Sequence, residues 1–264
     1  MFVKEYGSGG RQFLCLHGWG GDHREFSPLA SCAPNEVTLL SVDLPGYGLS
    51  PKPDEWSLDT ISDQVLNVLK VRAVERCVLI GFCSGAGLAL MLAEKVPDKI
   101  RRVIMIDPFA FIPWYFRLFL YGTFGRNAYA ITFQTKVGRK ITDWILKRFQ
   151  NSDADFTKAF VNLDHEVTLR YLHMLSRVNI HQQFKDLNMD IDILYGENTF
   201  TSVVRSVNIF QSLLPQIKVK ELKGLGHLPM IKGARQLASF IFEDLFADDL
   251  HGKVLACRKR VKKP

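Results

Sequence analysis

Short runs of apolar residues alternate along the chain with longer segments whose apolar residues recur at helical spacing. Runs of this kind, bounded by glycine, proline and polar residues, are typical of strands buried on both faces of a sheet. The predicted strands are 13–18, the first part of 37–48, 77–82, 102–108, 190–197 and 218–224, and the predicted helices are 57–71, 86–96 and 234–246. Because strands and helices alternate, the pattern predicts a mainly parallel α/β sheet covered by helices on both faces.

The alternation fails between residues 109 and 186. This segment has helical and aromatic patterns but no clear strand, and it is too long for a connecting loop. We therefore predict a helical cap at 109–186, inserted into a core formed by 1–108 and 187–250. The remaining residues, 251–264, form a basic tail.

The length of 264 residues and the hydrophobic content of 47% fit one α/β domain with an insertion. The net charge of +7 is concentrated at the end of the chain, since the last 14 residues hold six Lys or Arg and no Asp or Glu. We expect a solvated tail, with a weak contact to an anionic surface as the alternative. No nucleic-acid motif accompanies the tail, so no nucleic-acid partner is predicted.

The chain has no apolar run near the roughly 20 residues that span a bilayer, and its first residues lack the apolar stretch of a signal peptide. We therefore predict no stable membrane insertion and a cytoplasmic location. The odd number of cysteines, five, agrees weakly with a reducing compartment. No Cys-x-x-Cys pair or Cys/His metal spacing occurs, so neither a metal site nor an organic cofactor is expected.

The stretch "LIGFCSGAGLALMLAEKVP", residues 79–97, combines a buried strand, a glycine-rich corner and a helix. In a G-x-S-x-G elbow, the third residue stands at the tip of a tight turn and the next N–H lies at the start of the helix. Between Gly81 and Gly85 the third residue is Cys83, and Ser84 follows one place late. A Ser84 nucleophile would require glycine at positions 82 and 86, where the chain has Phe and Ala. The frame therefore selects Cys83.

Three further motifs follow a family order around this elbow: "LHGWGG" (16–21), "DLPGYGLS" (43–50) and "GLGHLP" (224–229). With them the chain resembles the α/β-hydrolase fold enzymes from about residue 12 to 245. The resemblance implies a mostly parallel sheet flanked by helices, with an inserted helical cap.

The resemblance also implies roles for individual residues. Cys83 would be the nucleophile, His227 the catalytic base, and the backbone N–H groups of Trp19 and Ser84 the oxyanion hole. His17 would brace the oxyanion loop. Cysteine elbows occur within this fold in dienelactone hydrolases and polyhydroxyalkanoate synthases, so a thiol is compatible with activity. An inert buried cysteine in a dead site is the alternative.

The acid that would orient His227 departs from the family pattern. The family usually places Asp three residues after the glycine that ends the seventh strand, and in "LYGENTFTS" that position is Thr199. Asp107 ends the strand "VIMID", where certain haloalkane dehalogenases carry their acid, and we favour it. Glu197 and a Cys–His dyad without an acid are the alternatives.

Eight aromatic residues lie between 109 and 124. Some must form the core of the cap, and others could line an apolar pocket; we predict Phe111, Trp114 and Phe116 as substrate-binding residues. The predicted function is hydrolysis of an apolar carboxylic ester or thioester through an acyl-enzyme on Cys83, with a small apolar acyl compound as the partner. An acyltransferase using the same intermediate and a catalytically silent scaffold that binds a ligand are the alternatives.

Overall fold

The computed structural model describes residues 1–149, 156–178, 180, 184 and 187–246. Seven strands form one sheet: β1 (Val3–Tyr6), β2 (Arg11–Leu16), β3 (Val37–Val42), β4 (Cys77–Phe82), β5 (Ile100–Ile106), β6 (Asp190–Asn198) and β7 (Lys218–Gly226). Their order is β1-β3-β2-β4-β5-β6-β7. Only β1 pairs in the antiparallel sense in this sheet, and the other pairings are parallel. The predicted mainly parallel α/β sheet is confirmed, with the short edge strand β1 as an addition.

The described α-helices are α1 (Ser27–Ala30), α2 (Leu58–Val71), α3 (Ser84–Lys95), α4 (Trp114–Arg117), α5 (Gly122–Tyr129), α6 (Lys136–Phe149), α7 (His165–Leu175), α8 (Thr201–Leu213), α9 (Pro229–Lys232), α10 (Ala234–Ile241) and α11 (Glu243–Phe246). Short 3₁₀ segments and a π-helical turn, Ala130–Gln134, connect some of them. Among the residues described, no helix has both the length and the apolar character needed to cross a bilayer.

The sheet is buried on both faces because each central strand is apolar at nearly every position. In β2, Leu14 and Leu16 pack on one side, while Phe13 and Cys15 pack on the other. Helices α2, α3 and α8 cover the first face, and α1 and α10 cover the second. A continuous apolar run thus suits a parallel sheet between two helical layers.

The segment between β5 and β6 contains helices joined by turns and no strand among its described residues, and we call 109–149 and 156–178 the helical insert. It has a small aromatic core of its own, made of Phe119, Tyr129, Phe133, Phe160 and Leu172. The helical insert falls within the predicted cap, 109–186, and the cap and its boundaries stay a prediction. The predicted basic tail, 251–264, lies outside the described residues.

Candidate active site

Cys83 stands at the turn between β4 and α3. Its backbone has φ 53° and ψ −114°, a left-handed conformation that non-glycine residues rarely adopt. Glycines on either side let the turn close, because a Cβ on Gly81 would collide with the backbone of Ala86, and one on Gly85 with the carbonyl of Leu16. This geometry is that of a nucleophile elbow, in which strain presents one side chain at the tip.

The other described free thiols differ from Cys83 in their surroundings. Cys15 and Cys77 are buried within the sheet, as expected from the apolar runs that contain them. Burial raises the pKa of both thiols, that of Cys77 to about 12. Cys83 is only partly buried and lines a cavity. Of these three thiols, it is the one in a position to meet a substrate.

Asp107 follows β5 and faces His227 across the end of the sheet. Its Oδ2 lies 3.1 Å from His227 Nδ1, and both side chains are buried. The backbone N–H of Gly196 donates to Oδ1 at 2.9 Å, and the hydroxyl of Thr199 donates to Oδ2 at 2.9 Å. Asp107 is thus a fully hydrogen-bonded carboxylate, which is how a buried charge is held in a protein.

Glu197 points away from this site. Its exposed carboxylate accepts a hydrogen bond from the backbone N–H of Gly224 at 2.8 Å and pairs with Lys223 at 3.4 Å. Between the two carboxylates proposed from the sequence, the structure therefore brings Asp107 and not Glu197 to His227. Thr199, at the position where the family usually has Asp, contributes a hydroxyl to the same network.

His227 is held between Asp107 and Cys83. Burial lowers the pKa of His227, but its hydrogen bonds with Asp107 and with the Cys83 thiol outweigh burial and raise the pKa to about 10. The rings of Phe82, Phe109 and Phe200 surround the imidazole at 4.7–5.6 Å between centroids. The raised pKa favours the imidazolium form of His227, with Asp107 as its largest stabilising partner.

His17 has a different role in the structure. Its Nε2 accepts the backbone N–H of Leu44 at 3.0 Å, and its Nδ1 donates to the carbonyl of Gly18 at 2.9 Å. Burial lowers the pKa of His17, with the Gly18 carbonyl opposing it, so the neutral form that these two bonds require is favoured. His17 therefore ties the loop after β2 to the loop after β3.

Trp19 and Ser84 both line the cavity that contains Cys83. Within the described residues, neither backbone N–H has a hydrogen-bond acceptor in the protein. The indole of Trp19 donates to the carbonyl of Thr168 at 2.8 Å, which ties this loop to α7 of the helical insert. Ser84 is the first residue of α3 and Trp19 lies in the loop after β2, and their N–H groups stay candidates for holding a substrate oxygen.

The cavity above Cys83 has a volume of about 360 Å³. Besides Cys83, Ser84 and His227, it is lined by Trp19, Glu25, Phe82, Phe109, Ile112, Pro113, Phe116, Lys158, Phe160, Leu172, Leu175, Phe200, Leu228 and Ile231. Most of these side chains are aromatic or aliphatic, and many come from the helical insert. The site is therefore an apolar pocket between the insert and the carboxyl ends of the strands.

The three predicted substrate-binding residues lie in three different places. Phe116 is on the wall of the pocket. Phe111 lines an adjacent cavity, of about 340 Å³, on the other side of Ser84 and Phe109. Trp114 is 81% exposed on the outer surface. The dense aromatic sequence could not show which of these rings faces the pocket.

Glu25 is a pocket residue that sequence reasoning missed. Its carboxylate accepts the backbone N–H of Gly18 at 2.9 Å, inside the loop that carries Trp19. Burial raises the pKa of Glu25 to about 7, opposed by the Gly18 N–H. The signal lay in the sequence, since "HGWGGDHREF" puts a carboxylate seven residues after Gly18, but the stretch has the polar composition of a surface turn.

One group of described side chains brings metal-ligand atoms together: Asp22, His23 and Asp43, within 4.8 Å of one another. These ligand atoms already have hydrogen-bond or ion-pair partners within the protein. Asp43 accepts from the backbone N–H of His23 and from that of Leu49, each at 2.7 Å, and Arg24 pairs with Asp22. The group braces two loops, and we assign no metal to it.

Comparison with known proteins identifies the family of this chain. A model described as alpha/beta hydrolase fold matches residues 12–234. The chain belongs to the α/β-hydrolase family. The resemblance carried by the four sequence motifs is thereby confirmed.

Individual relatives match over shorter stretches. A serine hydrolase-like protein from Danio rerio is 31% identical over 109 residues, which are 40% of this chain and 33% of that protein. A pimeloyl-[acyl-carrier protein] methyl ester esterase from Neisseria meningitidis is 30% identical over 100 residues, 38% of each chain. The match thus spans well under two thirds of either relative.

Solved structures of the α/β-hydrolase family resemble almost the whole chain. An esterase from Exiguobacterium antarcticum superimposes with a TM-score of 0.75 at 16% identity, covering 92% of this chain and 94% of its own. At this identity the likeness shows the shared fold.

Proposed function

We propose that the protein is a hydrolase that cleaves an apolar carboxylic ester or thioester through an acyl-enzyme on Cys83. The observation that carries the proposal is the hydrogen-bonded series Cys83–His227–Asp107, placed at a strained elbow on the floor of an apolar pocket. A nucleophile, a base and a group that orients the base are the three parts that covalent acyl transfer requires.

In the first half of the proposed reaction, the Cys83 thiolate attacks the carbonyl carbon. The electron pair of the C=O bond moves to oxygen, and the N–H groups of Trp19 and Ser84 stabilise that oxyanion. When the tetrahedral intermediate collapses, the bond to the leaving alcohol or thiol breaks and His227 gives it a proton. The acyl group remains on sulfur as a thioester.

In the second half, water attacks the acyl-thioester and His227 takes its proton. The second tetrahedral intermediate collapses to a free carboxylic acid and the Cys83 thiolate, which regains its partner, the imidazolium. Asp107 accepts the Nδ1–H of His227 throughout, so that Nε2 faces sulfur and its positive charge is stabilised.

The substrate class follows from the lining of the pocket. Apolar side chains dominate the wall, and Glu25 and Lys158 are its charged members. A volume near 360 Å³ lies at the lower end of ordinary small-ligand sites. We propose medium-length acyl or aromatic groups. The relative from Neisseria meningitidis named as a methyl ester esterase supports ester hydrolysis at this coarse level.

The test is a panel of p-nitrophenyl esters and acyl thioesters, with mass spectrometry of the protein during turnover. We expect an acyl adduct on Cys83 and loss of turnover in Cys83→Ala. Ser84→Ala, at the adjacent position, is the matched control. It should keep much of the activity because Ser84 contributes its backbone N–H and not its side chain. An inactive Ser84→Ala with an active Cys83→Ala would contradict the proposal.

The same experiment separates the alternatives. Added alcohols or amines that collect the acyl group in preference to water would identify an acyltransferase. Failure of iodoacetamide to label Cys83 selectively, together with no turnover of any substrate, would favour a silent ligand-binding scaffold.

A further inference from the structure

The outer surface of the helical insert carries large apolar side chains that face solvent. They are Trp114, Leu118, Tyr121, Phe124, Ile131, Val137, Ile141, Trp144 and Ile145, with exposed fractions of 39–81%. Isolated exposed apolar residues are ordinary, but an extended exposed patch marks a surface that meets a partner. We call this set the apolar face.

Helical spacing makes the four of these residues that lie on α6 neighbours. On α6, Val137, Ile141, Trp144 and Ile145 follow the i, i+4, i+7, i+8 pattern of a single helix side. The start of α6 touches the π-helical turn, because a Cβ on Gly138 would collide with the carbonyl of Ile131. The exposed stripe of α6 therefore begins beside the backbone of Ile131, whose side chain is exposed as well.

The polar residues beside the apolar face are basic. Between 109 and 149 the chain has seven Lys or Arg and a single acidic residue, Asp143. That carboxylate is turned to the insert, where it accepts from the hydroxyl and the backbone N–H of Thr157 at 2.6 and 2.9 Å. Exposed Lys136, Lys140 and Lys147 lie along one side of α6, next to the apolar stripe.

We propose that the apolar face docks on the surface of an anionic lipid bilayer. A helix with Trp and Ile on one side and a row of lysines beside them has the character of an interfacial helix, whose apolar side enters the headgroup region while lysines meet anionic lipid. A second copy would offer the lysine row no negative charge, because the same basic residues border its own apolar face. The charge pattern therefore favours lipid.

Docking would also place the pocket near acyl chains. Trp114, on the apolar face, is followed closely by Phe116 and preceded by Pro113, both on the pocket wall. The docking proposal rests on the outer surface alone and does not depend on chemistry at Cys83.

The test is sedimentation of the full chain with vesicles of phosphatidylcholine, alone or mixed with phosphatidylglycerol. We expect binding to the mixed vesicles that weakens with salt. Ile141→Ser/Trp144→Ser should reduce it, and Lys136→Gln/Lys140→Gln/Lys147→Gln should weaken it by about a hundredfold, at about 1 kcal/mol per lysine.

The matched controls are Lys70→Gln/Lys99→Gln/Lys218→Gln and Val71→Ser. These exposed residues lie towards the amino-terminal ends of the strands, opposite the helical insert. They should leave binding unchanged, and circular dichroism should show every variant folded.

Three outcomes would overturn the proposal. The first is equal binding by insert and control variants. The second is binding that disappears only when the Lys and Arg residues of 251–264 are changed to Gln, which would assign it to the tail. The third is self-association without lipid, measured by analytical ultracentrifugation and abolished by Ile141→Ser/Trp144→Ser, which would assign the face to a second copy.

Discussion

At the scale of single residues, the site consists of a few side chains whose partners come from distant parts of the chain. Cys83 and Ser84 could be told apart from sequence, because the elbow is a local motif. The carboxylate that faces His227 could not be identified in that way. Asp107 and His227 are 120 positions apart, and their contact depends on β5 and β6 being neighbours and on the loop after β7 folding back. Only the assembled sheet shows that Asp107, and not Glu197, contacts His227.

Replacing Asp107 by Asn should lower kcat/KM strongly while the fold is kept. The amide can still meet Thr199 or Gly196 but cannot stabilise the imidazolium of His227 by charge. In serine enzymes this change costs about 10⁴ in kcat, and we expect a smaller loss because a thiol ionises more easily than a hydroxyl. Glu197→Gln is the control and should be unaffected. Unchanged kinetics in a folded Asp107→Asn protein would leave a plain Cys–His dyad.

Glu25 should make stability depend on pH near neutrality. Its pKa is about 7 in the fold against an ordinary value of 4.5, so the folded protein binds more protons than the unfolded chain between these values. The stability associated with the protonated form is therefore present below pH 4.5 and is lost as pH rises through 7. Glu25→Gln keeps an acceptor for Gly18 without the charge.

Thermal unfolding at a series of pH values would measure this effect. Relative to wild type, Glu25→Gln should gain Tm between pH 4.5 and 7 and hold that gain above it. Parallel Tm curves for the two proteins over the whole range would contradict a raised pKa for Glu25 in the folded protein.

At the scale of elements, the strands and helices of the core follow from local pattern, and the insert does not. The core alternates apolar runs with amphipathic helices, so most of its elements could be predicted, apart from the short edge strand β1 and the helices α1, α8 and α9. The insert has aromatic residues on both its inner and outer sides. Its pattern predicts helices but not which side is buried, and for that reason Trp114 was expected in the pocket and lies outside it.

The close contact of α3 with the sheet gives a prediction about glycine. Gly85→Ala should destabilise the protein, because the new Cβ would meet the carbonyl oxygen of Leu16. Gly87, two residues on in the same helix, has no atom within 4 Å of such a Cβ. Gly87→Ala should be neutral or gain up to about 1 kcal/mol from helix propensity. Urea unfolding of both variants would compare them, and equal effects would mean that the elbow does not depend on this approach.

At the scale of the whole molecule, the insert and the core together line the pocket that contains Cys83, and the insert has a separate, exposed outer surface. The inner side of the insert closes the site over Cys83, while its outer side forms the apolar face. The core and its elbow are features of the α/β-hydrolase family. Under the proposed function, the acyl group that fits would be decided by pocket residues such as Phe116 and Ile112, which lie outside the four family motifs.

Two neighbouring aromatics of the insert allow this division to be tested. Phe116 lines the pocket and Trp114 does not, although both were expected to bind substrate. With water-soluble p-nitrophenyl esters, wild-type kcat/KM should rise with acyl length, by up to about fourfold per methylene at about 0.8 kcal/mol each, until the pocket is full. Phe116→Ala should lower the rates and flatten that rise because a wall of the pocket is gone, whereas Trp114→Ala should leave the profile unchanged. A preference for acetyl esters in the wild type, or equal effects of the two variants, would contradict a pocket whose wall selects the acyl chain.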